Sequence, residues 1–233
     1  MNFLLYVIES PSDSDFYVGR SEAGLLSQAA ALDGIPCVAR TAINRTAFIA
    51  ALRVGLSEAM QSYPGRFPLL HISAHGSSAG IQLSASDVIL WGELRDLLVP
   101  VCQGLNGYLI LCMSACDGYS ACQMAMTSTS GAQPYWALIA NNGQPLWSET
   151  AVAYATLYHH LSRGSQIVPA VEAMKVASGS AGWVVETAEQ SQRAFEVFIA
   201  KMDFETERLK LEQAGRSADV PPDAKSLGER ASG

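Results

Sequence analysis

The sequence predicts an α/β protein built on a mostly parallel six-stranded sheet with helices on both faces, a three-layer α/β/α arrangement. Three observations carry that expectation. Short, almost wholly apolar runs closed by Gly, Pro, Ser or Asp alternate with longer segments whose apolar residues recur at helical spacing. Apolar residues make up 49% of the 233 and charged residues only 16%, which supplies one sizeable core and excludes a chain disordered throughout. Two residues able to do chemistry, His75 and Cys116, stand just past the ends of two apolar runs. In open α/β sheets, ligands bind beyond the carboxyl ends of the strands.

Phe3 to Glu9 is the first strand, closed by Ser10-Pro11-Ser12-Asp13. Ser14 or Asp15 caps a helix expected over Phe16 to Leu32, which Asp33-Gly34 ends. Ile35 to Ala39 is a second strand, and Arg45 to Ser62 a second helix stopped by Tyr63-Pro64-Gly65, since proline cannot continue it. Leu69 to Ala74 is a buried strand that halts at His75-Gly76. A polar stretch, Ser77 to Gly80, then leads to a small hairpin from Ile81–Leu83 and Val88–Leu90. A helix begins at Trp91, and Tyr108 to Met113 is the fourth strand, ending Ser114-Ala115-Cys116. A helix from Ser120, a strand at Trp136–Ala140, helices at Glu149–Leu161 and Val168–Ala177, and a sixth strand at Gly182–Glu186 follow. The last helix runs over Ala188 to Gln213, and the tail from Ala214, with Pro221-Pro222 and few large apolar groups, reads as disordered. Residues 1–200 are thus expected to form one domain, with 201–233 the end of the helix and the tail.

Charge and cysteine usage exclude several classes. Lys and Arg number 15 against 22 Asp and Glu, a net charge of −7 with no basic run, so nucleic acid is not expected as a direct partner. The longest apolar stretches fall far short of the ~18 residues of a membrane span. Phe3–Ile8 lacks a basic residue before it and is interrupted by Glu9, unlike a secretory signal. Five cysteines at irregular spacing are read as free thiols in a reducing compartment, so a soluble, cytoplasmic protein is expected. His71 with His75, and Cys112 with Cys116, are spaced by four on strands, about 13 Å apart, which disfavours a zinc site. Cys37, Cys102, Cys112 and Cys122 are read as small buried apolar groups.

If the third and fourth strands are neighbours, His75 and Cys116 emerge side by side, because adjacent strands lie ~4.8 Å apart. A histidine beside a cysteine is the pairing that activates a thiol nucleophile. The amides of Gly76 and Cys116 are candidate donors to the oxyanion of a tetrahedral intermediate.

The order His71-Ile72-Ser73-Ala74-His75-Gly76, then Leu90-Trp91-Gly92-Glu93-Leu94, then Leu109 to Gly118 resembles the CHAT family of caspase-like cysteine peptidases, relatives of caspases, metacaspases and separase. The resemblance spans roughly residues 3 to 187. It implies a caspase-like fold, His75 as catalytic histidine, Cys116 as nucleophile, and Gly76 and Cys116 as the oxyanion amides; the chemistry of such a pair requires no metal or organic cofactor. Ala115 and Asp117, beside the cysteine, are then expected to contact substrate. Many members carry Cys-x-Ser/Thr-Gly, whereas here Gly118 comes one position early and Tyr119 follows. A specific protein substrate is expected, since an unrestrained endopeptidase would be toxic; the resemblance further implies a target encoded nearby in bacterial defence or cell-death systems, and activation by a separate sensor protein or by self-processing.

The loop Glu9 to Asp15 carries Glu9, Asp13 and Asp15 near the expected site. In caspases the corresponding region helps form the pocket for the residue before the scissile bond, with an arginine that binds aspartate. Here carboxylates stand in its place, which predicts a preference for Arg or Lys. The plainer reading is an acidic turn capping the first helix. Trp147, in the segment after the fifth strand, is a further candidate to line a substrate groove; Trp91, Trp136 and Trp183 are read as packing residues. Three rival functions stand beside the peptidase: a catalytically silent scaffold or adaptor binding a partner protein, an esterase or transpeptidase using the same pair, and a nucleotide binder. The last lacks a phosphate-cradling glycine loop after the first strand.

Overall fold

The computed structural model describes residues 2–126 and 131–218. It divides into two compact units, Met1–Gln192 and Arg193–Gly233. In chain order the elements are β1 (Phe3–Glu9), α1 (Asp13–Tyr17), α2 (Glu22–Leu32), β2 (Cys37–Thr41), α3 (Arg45–Ala50), a π-helical turn (Ala51–Gly55) and α4 (Leu56–Ser62). Then come β3 (Phe67–Ser73), β4 (His75–Ser77), β5 (Gly80–Gln82), β6 (Val88–Leu90), α5 (Trp91–Gly104), β7 (Ile110–Ser114), a 3₁₀ turn (Gly118–Cys122) and α6 (Gln123–Met126). The chain closes through β8 (Ala137–Asn141), α7 (Trp147–Ser162), α8 (Ile167–Ser178), β9 (Trp183–Thr187) and α9 (Ala188–Ala218).

The main sheet has the order β2-β1-β3-β7-β8-β9, parallel throughout except for β9, which runs antiparallel to β8. Its inner strands are buried on both faces, which is why β1, β7 and β8 read as continuous apolar runs rather than alternating ones. One face carries Leu5, Val7, Leu69 and Ile110 against Leu26 of α2, Tyr154 and Leu157 of α7 and Met174 of α8. The other carries Leu4, Ile8, Leu70 and Leu111 against Phe48, Leu52 and Leu56 and against Leu94 and Leu98 of α5. The predicted three layers are present. On this second face the Tyr6 hydroxyl donates to the Ala51 carbonyl at 2.6 Å, at the start of the π-helical turn.

Several elements differ from expectation. The helix expected over Phe16–Leu32 is two helices: Gly19 takes a left-handed φ of +69°, a conformation costly for other residues, and ends α1. Ser21 then caps α2 by accepting from the Gly24 amide at 2.9 Å. The cap of α1 is Ser12, not Ser14 or Asp15. His75–Ser77 continues as β4, the first strand of a second, antiparallel sheet of order β4-β5-β6. The turn Ser78-Ala79 is tied down, since the Ser78 carbonyl accepts from Trp91 Nε1 at 3.0 Å and from Gln123 Nε2 at 3.1 Å. Helix α9 reaches Ala218, so Ala214–Ala218 is helical rather than tail; the remainder of the expected tail lies outside the described residues. In the unit that begins at Arg193, α9 carries Val197, Phe198, Met202 and Phe204 exposed.

Candidate active site

The strand ends decide what meets what. β1, β3 and β7 are parallel neighbours, with Glu9 opposite Ser73 and Ser73 opposite Ser114. Both β3 and β7 close on the same pattern, Ser73-Ala74-His75 and Ser114-Ala115-Cys116, and the Ala74 amide donates to the Ser114 carbonyl at 3.1 Å. That register, continued two residues, sets His75 abreast of Cys116. Gly76 lies flat on the cysteine: a Cβ at Gly76 would overlap the Cys116 carbonyl oxygen and crowd Ala115. Only glycine allows β4 to pass that close.

His75, Cys116 and Ala115 line one cavity of about 180 Å³ beyond these strand ends. His75 is exposed and Cys116 half-buried. The turn after the cysteine is held from two sides. Asp117 takes a left-handed φ of 51° and its amide donates to the Gly143 carbonyl at 2.8 Å. The Tyr119 hydroxyl donates to the Glu186 carboxylate on β9, whose other oxygen accepts from Ser191 at 2.6 Å. Burial and that carboxylate push the Tyr119 phenol well above its ordinary range.

Of the acidic residues expected at the site, Glu9 and Asp15 line the cavity; Asp13 and Asp117 do not. Glu9 is buried and closes the start of α2, accepting from the Glu22 amide at 2.5 Å, the Ala23 amide at 3.3 Å and Ser21 Oγ at 2.7 Å. Its charge therefore sits on the positive end of that helix dipole. Asp15 is paired with Arg20 at 3.0 Å. The cavity thus holds an arginine that the reading of the loop as purely acidic omitted, and Arg20 lies over the Trp147 ring, 5.5 Å from its centroid. Trp147 lines the cavity, as a groove residue was expected to.

Glu22 is the residue sequence reasoning missed. It is buried, lines the cavity, and accepts from Ser73 Oγ at 2.6 Å and from Ser114 Oγ at 2.8 and 2.9 Å. Beneath it lies His71, fully buried, with Nδ1 2.7 Å from the Tyr158 hydroxyl and Nε2 3.5 Å from Glu22 without a hydrogen bond. His71 packs edge-on to Tyr154 and is a core residue of the α2–α7 face. Glu22 thus takes its hydrogen bonds from the two serine hydroxyls, with the His71 imidazole close by. The signal for it was the repeated Ser-Ala before His75 and Cys116, two hydroxyls aimed at one place.

The other thiols are unlike Cys116 in surroundings. Burial pushes Cys112 up to about 12 and, with the Glu186 charge, Cys122 up to about 11; Cys37 and Cys102 are raised by burial too. Among the described residues no group of three His, Cys, Asp or Glu side chains is arranged to hold a metal ion, and no helix is long and apolar enough to cross a membrane.

This architecture is the caspase-like α/β fold: six mostly parallel strands between two layers of helices. Two of the solved structures similar to it are of gingipain cysteine proteinase. The complex of the pro- and mature domains of Porphyromonas gingivalis RgpB matches with a TM-score of 0.51 at 14% identity, over 81% of this chain and 48% of that one. The Arg-specific cysteine proteinase gingipain R matches with a TM-score of 0.46 at 12% identity, over 75% of this chain and 41% of that one. The chain therefore spans less than half the length of these matched chains. No protein-family model and no curated protein matches its sequence.

Proposed function

We propose that the chain is a caspase-like cysteine endopeptidase of CHAT type, with Cys116 as nucleophile and His75 as acid–base. The observation that carries this is one cavity lined by both residues, with Gly76 packed on the cysteine backbone. The Cys116 sulfur attacks a peptide carbonyl while His75 takes the thiol proton. His75 then gives that proton to the leaving amine, and water activated by the same imidazole releases the acyl group. The amides of Gly76 and Cys116 receive the developing oxyanion. None of these steps calls for a metal or organic cofactor.

Selectivity follows from charge. Glu9, Asp15 and Glu22 face the cavity against the single guanidinium of Arg20, which Asp15 already pairs. A cationic side chain, Arg or Lys, before the scissile bond is the substrate group this cavity favours, with Glu22 at its floor in addition to the acidic loop. The substrate is a specific protein, expected from a neighbouring gene of a defence or cell-death system, with a separate sensor protein as activator. The competing reading is a catalytically silent scaffold that binds a partner protein through the same cleft.

Internally quenched peptides with Arg, Lys, Asp or Leu before the scissile bond test both parts. Cleavage after Arg or Lys, lost by at least 10²-fold in Cys116→Ala and in His75→Ala, is the expected result. Glu22→Gln is expected to reduce the preference for Arg over Leu about tenfold. Cleavage unaffected by Cys116→Ala overturns the mechanism, and a preference for Asp overturns the selectivity.

A further inference from the structure

On the face of the main sheet covered by α2 and α7, the side chains of β3 and β7 stand in layers two residues apart. In the layer at the strand ends, Ser73 and Ser114 hold Glu22. One layer deeper, His71 stands opposite Cys112, and both are wholly buried. The imidazole is met from α7 by the Tyr158 hydroxyl, 2.7 Å from Nδ1, and by the Tyr154 ring edge-on. From α2 it is met by Glu22, whose Oε1 lies 3.5 Å from Nε2. Nε2 has no hydrogen-bond partner although it is shut away from water. A ring nitrogen left so in a core has a cost, and the charged group that faces it is a carboxylate that also lines the cavity.

These surroundings decide which ring nitrogen carries the proton. With the proton on Nδ1, the Nε2 lone pair would confront Glu22 Oε1, two acceptors face to face away from water. With it on Nε2, the N–H is turned to the carboxylate and Nδ1 accepts from the Tyr158 hydroxyl. Burial holds that phenol well above its ordinary range, so it keeps a proton to donate, and it pushes the neighbouring Cys112 thiol up to about 12. Resting on the reading of the cavity as a peptidase cleft that selects Arg or Lys, we propose that Tyr158 and His71 are positioning residues for Glu22. Tyr158 fixes the Nε2–H tautomer, and that N–H steadies Oε1, so that the carboxylate stays ionised and in place at the floor of the cleft. The proton count leaves room for substrate. A carboxylate has about four acceptor sites, and Ser73, Ser114 and His71 bring one proton each, so one site remains for an incoming guanidinium or ammonium. An imidazolium at this place would instead cancel the charge that the cleft offers.

The tautomer is read without turnover. In protein made with isotope-labelled histidine, a long-range proton–nitrogen correlation spectrum at about pH 7 separates protonated from bare ring nitrogens, and the signal missing from His71→Gln assigns the residue. A protonated Nε2 beside a bare Nδ1 is expected. A protonated Nδ1 with a bare Nε2, or protons on both nitrogens, overturns the proposal. The consequence for substrate is read with Arg and Leu peptides. His71→Gln sets an amide N–H near the place of Nε2–H, whereas His71→Asn, one carbon shorter, cannot reach it. The Gln variant is expected to keep the native preference for Arg over Leu within about threefold, and the Asn variant to lose about tenfold of it, through KM with kcat little changed. A preference undiminished in the Asn variant, a loss in kcat alone, or an equal loss in both variants overturns the positioning role and leaves the peptidase standing. If the Asn variant does not fold, the native tautomer decides alone. Failure of the native protein to cut either peptide, matched by Cys116→Ala, overturns the peptidase reading and the service to substrate with it, whatever the tautomer.

Discussion

At the scale of single residues, the five cysteines separate by environment. Cys102, Cys112 and Cys122 are buried and their thiols are held protonated, whereas Cys116 faces the cavity. Thiolate character and access together set the rate of alkylation. Iodoacetamide at about pH 8 is expected to modify Cys116 first, at least tenfold faster than the half-buried Cys37, whose thiol burial pushes up. Peptide mapping by mass spectrometry over a time course reads this directly; simultaneous labelling of Cys116 and Cys37 contradicts it. The shared cavity of the candidate site was legible in the sequence where it rested on strand ends. His75 and Cys116 each follow an apolar run, and a parallel sheet delivers such positions to one edge. Glu22 was not legible, because its role needs α2 to begin at residue 22. The expected single helix over Phe16–Leu32 hides that start in a helix interior.

The elements show why that start exists. Glu9 ends β1 with its carboxylate against the first amides of α2, so one side chain joins the sheet to the helix that carries Glu22. Glu9→Ala removes the acceptor of two amides and a favourable dipole contact, and is expected to cost about 1–2 kcal/mol of stability. A urea titration checks this: the midpoint falls at unchanged slope, while an unaltered midpoint means that Ser21 alone suffices as cap. The order of strands and helices was readable because periodicity and turn residues agree along most of the chain. β4 was not readable, since His75-Gly76-Ser77 has no apolar alternation and is a strand only by pairing with Gly80–Gln82. The tie between Tyr119 and Glu186 is equally invisible beforehand, as it joins a turn to a strand far along the chain.

For the whole molecule, buried acids of high pKa make stability sensitive to alkali. Burial raises Tyr6 from 10.0 to about 12, Cys112 from 9.0 to about 12 and Cys122 from 9.0 to about 11. Each folded-state value lies above the unfolded one, so the folded chain keeps its proton where the unfolded chain loses it. The stability these groups contribute is complete below about pH 9 and is lost as pH climbs toward 12, at a slope of up to about 1.4 kcal/mol per pH unit for each group. Urea midpoints at pH 8 and pH 10.5 are expected to differ, the second being lower; equal midpoints contradict this account.

His75 rides on the small antiparallel sheet and Cys116 on the turn that follows β7 of the large parallel one, and Gly76 is where the small sheet meets that turn. Neither sheet alone brings the two side chains together. A nascent chain still leaving the ribosome, or one partly melted, carries a base and a sulfur that have not been introduced to each other. The pairing of the two side chains therefore waits on assembly of both sheets, with a single hydrogen-sized gap at one α-carbon deciding whether they can close on each other.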